Sequence, residues 1–189
     1  MTVLESAVAP AQLAGTWKID PVHSEVSFSV RHLMVSKVRG RFGDFSGTIV
    51  IADDALQSRA EAVVVLASID TGNAGRDEHV RSADFFDVDK YPELTYRSTA
   101  VRADGDDFIV DGELSLHGVT KQVPLHVEVT GFQAITPFGD TRVGFSATAE
   151  INRDDFGITF NTALEGGGVG LGRKIQIALE IQAVRENQG

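Results

Sequence analysis

Apolar and polar residues alternate along much of the chain. In KQVPLHVEVTGF, which begins at Lys121, every second residue from Val123 to Val129 is apolar. The same two-residue period returns in DTRVGFSATAEI from Asp140 and in RKIQIALEIQA from Arg173. Because successive side chains of a β-strand point to opposite faces, the pattern predicts three strands that each bury one face.

Five further segments show a weaker form of the same pattern. They are EVSFSVRHLM, RGRFGDFSGTIVI, AEAVVVLASI, ELTYRSTAVRA and DFIVDGELSLHG, which begin at residues 25, 39, 60, 93 and 107. Turn-forming residues separate most neighbours, above all the pair Asp104 and Gly105, so consecutive strands are expected to be antiparallel neighbours. We predict an all-β fold, an eight-stranded antiparallel up-and-down β-barrel with short helical connections, because closure removes both exposed sheet edges. A β-sandwich is the alternative.

Two connections are too long to be hairpins, one from Asp70 to Pro92 and one from Arg153 to Gly172. In the first, Asn73 is expected to cap a short helix. Within that helix Asp77 lies four residues before Arg81, a spacing that favours an ion pair. Connections of this length in a compact domain are typical of lids and binding loops.

Four of the eleven phenylalanines lie in these two connections: Phe85, Phe86, Phe156 and Phe160. Two interpretations are open. The rings either plug the ends of the barrel as ordinary core, or they form an apolar gate to its interior.

Composition excludes several classes of function. The chain has 189 residues and a formal net charge of −10, so its average surface repels nucleic acid and anionic lipid. It has no cysteine, which excludes disulfides and thiolate chemistry. No apolar run is long enough for a transmembrane helix, so we expect peripheral membrane contact at most.

The N-terminal stretch MTVLESAVAPAQLAG lacks the basic start and the uninterrupted apolar run of a secretory signal. We therefore expect a cytoplasmic protein. Residues 1–14 are expected to form a flexible arm, and residues 15–186 a single barrel domain.

The interior of an eight-stranded barrel is either filled by side chains or just wide enough for one slender ligand. Three alanines, Ala147, Ala149 and Ala183, fall in the inward phase of their strands, and several glycines thin the walls. These small residues favour a cavity. Glycines also bend strands at barrel corners, so a filled barrel stays open as the alternative.

His32 falls in the inward phase of the strand that begins at Glu25, among apolar positions such as Val26, Phe28 and Val30. It either orients the headgroup of a ligand through a hydrogen bond, or it is a buried neutral histidine satisfied by a nearby carbonyl or hydroxyl. The second case is the commoner one for buried polar groups.

Recognised catalytic and metal-binding patterns do not occur in the sequence. His23 and Ser24 are adjacent on an extended segment and so point to opposite faces, and no nucleophile elbow is present. The five histidines lack the spacings of common zinc sites, so we predict no metal site. The cations Lys37, Arg39 and Arg41 follow His32 and either bind an anionic headgroup or are ordinary solvated charges.

An ordered set of motifs covers about residues 16–184: WKIDPVHSEVSFSVRH, RFGDFSG, SIDTGN, RDEHVRSADFFDVDKYPE, GELSLHGVTK and INRDDFGI. Together they resemble the YceI-like family of polyisoprenoid-binding, lipocalin-like barrel proteins. The resemblance implies an elongated barrel with an apolar tunnel for an isoprenoid chain, such as a polyprenyl phosphate or a quinone tail, and possible assembly as a homodimer. It implies no enzymatic activity and no cofactor other than the bound lipid.

We therefore expect a non-catalytic protein that binds, carries or stores a polyisoprenoid lipid. An enzyme acting on an isoprenoid-like molecule, or a filled barrel used as an interaction module, are the alternatives. The candidate ligand-binding residues combine inward strand positions, connection phenylalanines and possible headgroup contacts: Val26, Phe28, Val30, His32, Arg41, Phe42, Phe45, Arg76, His79, Phe85, Phe86, Val143, Phe145, Ala147, Phe156, Ile177 and Leu179.

Overall fold

Within residues 10–187, which the computed structural model describes, the chain forms twelve β-strands and two α-helices. The strands are β1 (Gly15–Ile19), β2 (Glu25–His32), β3 (Ser36–Phe42), β4 (Phe45–Ile51), β5 (Arg59–Val65), β6 (Ile69–Asp70), β7 (Glu93–Asp104), β8 (Asp107–Leu116), β9 (Val119–Gln122), β10 (Leu125–Gln133), β11 (Arg142–Asn152) and β12 (Leu171–Arg185). The helices are α1 (Pro10–Leu13) and α2 (Ala74–Arg81). Neither helix is long and apolar enough to cross a membrane.

The strands form a closed antiparallel barrel with eight strand positions. Four of these positions are interrupted strands, because β1 is followed in line by β2, β3 by β4, β5 by β6, and β9 by β10. Successive positions pair in chain order. The long strand β12 then pairs with both β1 and β2, so the last position closes onto the first. The predicted eight-stranded up-and-down barrel is confirmed, and the sandwich alternative is excluded.

Chain chemistry explains two of the interruptions. Pro124 separates β9 from β10, and Pro21 lies in the connection between β1 and β2. Proline has no backbone N–H to donate to a neighbouring strand. At the second place Ser24 substitutes for the missing pairing, since the backbone N–H of Gln182 donates to its Oγ at 2.9 Å.

The antiparallel order divides the connections between two ends of the barrel. The upper end carries the β2–β3 hairpin and the connections from β5 to β7, from β8 to β9 and from β11 to β12. The lower end carries the connections from β4 to β5, from β7 to β8 and from β10 to β11. Both connections that are too long for hairpins therefore lie at the upper end.

A small apolar cluster packs at the lower end around Trp17, which is fully buried. Its indole N–H donates to the carbonyl of Leu13 at 2.8 Å, and the Arg185 guanidinium lies 4.6 Å from its ring centre. Val143 and Ala183 complete the buried part of the cluster. The cluster ties the N-terminal helix α1 to the barrel.

The predicted N-terminal arm covers residues 1–14, of which residues 1–9 lie outside the described residues. Residues 10–13 form α1, and Leu13 is buried in the lower cluster. Burial of this side chain holds the segment against the barrel.

Helix α2 forms where the sequence predicts it. The Asn73 side chain caps it by accepting a hydrogen bond from the Arg76 backbone N–H at 2.9 Å. The expected ion pair between Asp77 and Arg81 is wrong. Asp77 turns inward and accepts hydrogen bonds from Thr71, while Arg81 donates to the carbonyls of Ala67 and Ile69.

Candidate ligand-binding site

The barrel encloses a cavity of about 1650 Å³. Its central walls are aliphatic and aromatic side chains from the inward phase of nearly every strand, among them Val26, Phe28, Val30, Phe42, Phe45, Val64, Leu114, Val127, Phe145, Ala147, Ile177 and Leu179. A ligand pocket for a small molecule typically measures about 300–1,000 Å³. The cavity is therefore large enough for a guest longer than a typical small molecule.

Small residues in the walls make room for large ones opposite. A Cβ on Gly40 would lie 2.5 Å from the Phe28 ring, and a Cβ on Gly112 would lie 2.4 Å from the Tyr96 ring. The Tyr96 hydroxyl donates to the carbonyls of Val110 and Val123, at 3.1 and 3.0 Å. Burial, followed by the nearby Asp111 carboxylate, raises the pKa of Tyr96, so this wall stays uncharged.

Three aromatic rings frame the cavity at the upper end. The ring centres of His79, Phe85 and Phe160 lie 5.1 to 5.2 Å apart and meet edge to face. All three line the cavity, and Asp84 holds the imidazole of His79 at 2.8 Å. This arrangement supports the gate interpretation for Phe85 and Phe160, because the rings lie where the cavity meets the surface.

Arg76 lies beside this frame and is oriented by a short network. Its guanidinium donates to the Thr71 hydroxyl at 2.8 Å and to the Thr71 carbonyl at 2.7 Å. Thr71 in turn donates its hydroxyl and its backbone N–H to the buried carboxylate of Asp77. Arg76 thus faces the cavity as a cation without a direct carboxylate partner among the described residues.

A second cation, Arg153, lies deeper at the same end and is only 3% exposed. Its guanidinium donates to four backbone carbonyls, those of Ile158, Phe160, Leu171 and Gly172, at 2.8 to 3.3 Å. Burial lowers its pKa, although the Asp154 carboxylate opposes this effect. Arg153 therefore joins the first part of the connection that follows β11 to its end, where β12 begins.

The two ends of the cavity differ in charge. Polar lining residues at the upper end are cationic or neutral: His32, Thr71, Arg76, His79, Arg153, Asn161 and Thr162. At the lower end the lining includes the carboxylates of Asp106 and Asp107 and the guanidinium of Arg59. An anionic or oxygen-rich headgroup is therefore favoured at the upper end.

Most of the predicted site residues line the cavity, and three do not. Arg41 lies on the outer face of β3 and pairs with Asp70 at 3.3 Å. Val143 is buried in the lower cluster, and Phe156 is buried in the main core beneath the upper connection. The core interpretation thus holds for Phe156, whereas Phe85, Phe86 and Phe160 line the cavity.

His32 lines the cavity, as its strand phase predicts, but it is exposed. The expectation of a buried and internally satisfied histidine is wrong, because β2 ends at His32 and the residue lies on the rim. Arg153 and Tyr96 were missed by sequence reasoning. For Arg153 the sequence does offer a signal, which is a charged residue at the start of a long connection, directly after β11.

No group of three or more histidine or carboxylate side chains within residues 10–187 is placed to hold a metal ion. What the site offers is an apolar chamber whose upper end carries the hydrogen-bond donors of Arg76 and His79. Such an arrangement binds and orients an amphipathic molecule.

Comparison with known proteins places this barrel among relatives. The sequence model of the YceI-like domain matches residues 17–183. Protein YceI of Escherichia coli is 40% identical over 153 residues, which cover 79% of this chain and 80% of the relative. A UPF0312 protein of Photorhabdus laumondii is 36% identical over 184 residues, covering 94% of this chain and 91% of the relative.

Solved structures share the fold. The YceI protein of Campylobacter jejuni superposes with a TM-score of 0.69 at 28% identity, covering 83% of this chain and 90% of that one. A polyisoprenoid-binding domain from Saccharophagus degradans superposes with a TM-score of 0.68 at 19% identity, covering 90% and 98% of the two chains. On the family match and the identity to its relatives, this chain belongs to the YceI-like family.

Proposed function

We propose that the protein binds a polyisoprenoid lipid in its barrel and carries or stores it without catalysing a reaction on it. The observation that supports this proposal is the cavity of about 1650 Å³ with apolar central walls. Burial of each methylene-sized group of a prenyl tail contributes about 0.8 kcal/mol, so a long tail binds tightly without specific hydrogen bonds. The Saccharophagus domain that is described as polyisoprenoid-binding has the same barrel fold, which is consistent with this use of the interior.

The lipid is proposed to lie with its headgroup at the upper end and its tail toward the lower cluster. Arg76 lines the cavity with a guanidinium that carries several N–H donors, and His79 and Phe160 line it as well. A phosphate or a quinone ring supplies acceptor oxygens that such donors bind. The carboxylates of Asp106 and Asp107 disfavour an anionic headgroup at the other end.

The test is native mass spectrometry of the purified protein, followed by organic extraction and mass analysis of the released molecules. We expect a ligand whose mass series has isoprene-unit spacing. The variant Ala147→Trp is expected to lose most of this ligand, because the indole occupies the middle of the cavity that Ala147 lines.

A matched control is available on the neighbouring strand. Ala178 in β12 is exposed on the outer face of the barrel, so Ala178→Trp makes the same chemical change outside the cavity and is expected to leave lipid retention unchanged. A wild-type protein that yields no lipid and takes up neither polyprenyl phosphate nor quinone contradicts the proposal. Equal retention in both variants contradicts the assignment of the cavity as the binding site.

A further inference from the structure

The tip of the β2–β3 hairpin exposes three consecutive apolar side chains. Leu33, Met34 and Val35, the hairpin tip, are 45%, 59% and 82% exposed. Single exposed apolar residues are common on protein surfaces, but a contiguous run at a projecting turn is a mark of an interaction site. Of the three, only Leu33 lines the cavity, so the exposure of Met34 and Val35 is not explained by the cavity wall.

The turn has an unfavourable backbone for its residues. Leu33 and Met34 have φ angles of 52° and 59°, which place them in the left-handed region. Tight hairpin turns of this kind favour asparagine and glycine, whereas a large apolar residue at positive φ carries a conformational cost. Such a cost at an exposed turn supports the hypothesis that these side chains have a role other than folding.

Three cations lie directly behind the tip. Arg31, Lys37 and Arg39 are exposed on the outer face of the hairpin, and none of them forms an ion pair within the described part of the chain. Arg31 and Lys37 are direct cross-strand partners. Like charges placed opposite each other destabilise a strand pair, so this pairing adds a second local cost.

The surroundings of the tip contain some negative charge. Arg41, the next cation of β3, is neutralised by Asp70, and the neighbouring glycine loop contains Glu165. That loop contacts the tip, since a Cβ on Gly168 would lie 3.6 Å from Met34. The formal net charge of the whole chain is −10, so an unpaired basic cluster at one hairpin is a local departure from the average surface.

The tip is also adjacent to the open end of the cavity. His32 and Leu33 line the cavity, and the Leu33 backbone N–H donates to the Gly170 carbonyl at 2.8 Å. An apolar tip with a basic collar is the combination that inserts into the interface of a bilayer and attracts anionic headgroups. A membrane bound at this place would face the mouth through which a lipid enters.

We propose that the β2–β3 hairpin docks the protein on a membrane surface that contains anionic lipids, with the cavity mouth facing the bilayer. This inference rests on the proposed function, because docking matters to the protein only if a lipid passes from the membrane into the cavity. Docking is nevertheless measured independently of lipid retention.

The experiment is vesicle flotation of the full-length protein with two kinds of vesicle, phosphatidylcholine alone and phosphatidylcholine mixed with phosphatidylglycerol. We expect the wild type to float with the mixed vesicles only and to be released by high salt. The double variant Met34→Asn with Val35→Ser is expected to bind at least about tenfold more weakly. Asparagine tolerates positive φ, so this variant keeps the turn.

The charge reversal Lys37→Glu with Arg39→Glu is expected to weaken binding to the mixed vesicles by a similar factor, about tenfold or more, since each cation near an anionic surface adds to the attraction. A control comes from the opposite end of the barrel, where Ile135 and Phe138 are 74% and 82% exposed. The variant Ile135→Ser with Phe138→Ser removes a comparable exposed apolar area and is expected to bind as the wild type does.

Several results overturn the proposal: no flotation of the wild type with mixed vesicles, equal flotation of the tip variant, or equal loss in the control at the lower end. A dimer in size-exclusion chromatography that the tip variant dissolves, without vesicle binding, assigns the tip to a second copy of the chain instead. Lipid extraction from the same samples separates the two proposals. A tip variant that keeps its lipid but does not float has lost docking alone. A wild type that contains no lipid contradicts the proposed function.

Discussion

Asp20 is a single residue that connects two distant parts of the chain. Its carboxylate accepts hydrogen bonds from Arg142 at 2.7 Å, from His23 at 2.8 Å and from the Val22 backbone N–H at 2.9 Å. Burial alone raises the pKa of Asp20, but the bonds from His23, Arg142 and Val22 outweigh it and lower the pKa to about 2. Asp20 therefore ties the β1–β2 connection to the start of β11 in its charged form.

This linkage predicts a pH-dependent contribution to stability. The folded pKa of about 2 lies below the ordinary value of 3.8, so the stabilisation is fully present above about pH 4 and is lost as the pH falls through 2. We expect Asp20→Asn to lower the free energy of unfolding by about 1–2 kcal/mol at neutral pH, with the difference from wild type shrinking between pH 4 and pH 2. Urea unfolding at a series of pH values measures both.

The control for this prediction is Asp106→Asn, which removes a carboxylate from the exposed β7–β8 turn. It is expected to change stability by less than about 0.5 kcal/mol. A difference between Asp20→Asn and wild type that stays constant down to pH 2 contradicts the assignment of the charged carboxylate.

At the scale of residues, strand phase predicts which side chains face the interior but not which part of the interior they reach. Phe28 and Val143 are both inward, yet one lines the cavity and the other packs beside Trp17. The difference depends on the height of each residue in the barrel, which follows from strand register. Arg41 is predicted to contact the headgroup. It alternates in β3 with the inward residues Gly40 and Phe42, so its side chain lies on the outer face of the barrel.

At the scale of elements, the connection from Arg153 to Leu171 depends on one buried cation. Loops normally satisfy their polar backbone groups with water, but four carbonyls here accept from the Arg153 guanidinium. The connection contributes Phe160 to the frame of the cavity mouth. Arg153 is thus a structural centre for this side of the opening.

We predict that Arg153→Lys destabilises the protein by about 2–4 kcal/mol, because one ammonium cannot reach all four carbonyls and the rest lose their buried donors. Chemical denaturation measures this change, and hydrogen exchange is expected to rise selectively in residues 157–171. Arg173→Lys serves as control, since Arg173 is an exposed residue paired with Asp154 and its replacement is expected to cost under about 0.5 kcal/mol. Unchanged exchange in the connection contradicts this role for Arg153.

The eight strand positions were predictable because each has a two-residue period that side-chain burial imposes on antiparallel strands. The same pattern does not predict where single strand positions are interrupted, as between β1 and β2. β1 is short, and its only strongly apolar inward residues are Trp17 and Ile19. The conformation of the two long connections depends on contacts between distant residues, such as the contact of His79 with Phe160, for which a single sequence holds no periodic signal.

At the scale of the whole molecule, a hollow barrel lacks interior packing. Side chains that face an apolar void lose dispersion contacts that a filled core provides, and larger cavities cost more. The buried clusters near Leu66 and Trp17 stabilise the two ends, while the middle has a cavity of about 1650 Å³. The lipid that we propose for this space would supply the missing contacts and would bind only the folded state.

The last prediction follows from this linkage between ligand binding and folding. Lipid present at about 100 times its dissociation constant stabilises the folded state by about 2.7 kcal/mol, which corresponds to about 5–10 °C in Tm for a domain of this size. We expect protein purified with its lipid to melt at a higher temperature than protein that has been delipidated and refolded, with the difference restored by added polyprenyl phosphate. Differential scanning fluorimetry measures this difference in Tm.

Ala147→Trp is expected to show little response to the same additions, because its indole already occupies the cavity, whereas Ala178→Trp is expected to respond like the wild type. If delipidated wild type melts at the same temperature as protein purified with lipid, the prediction is contradicted. The interior would then be packed by the protein's own side chains, as in a filled barrel.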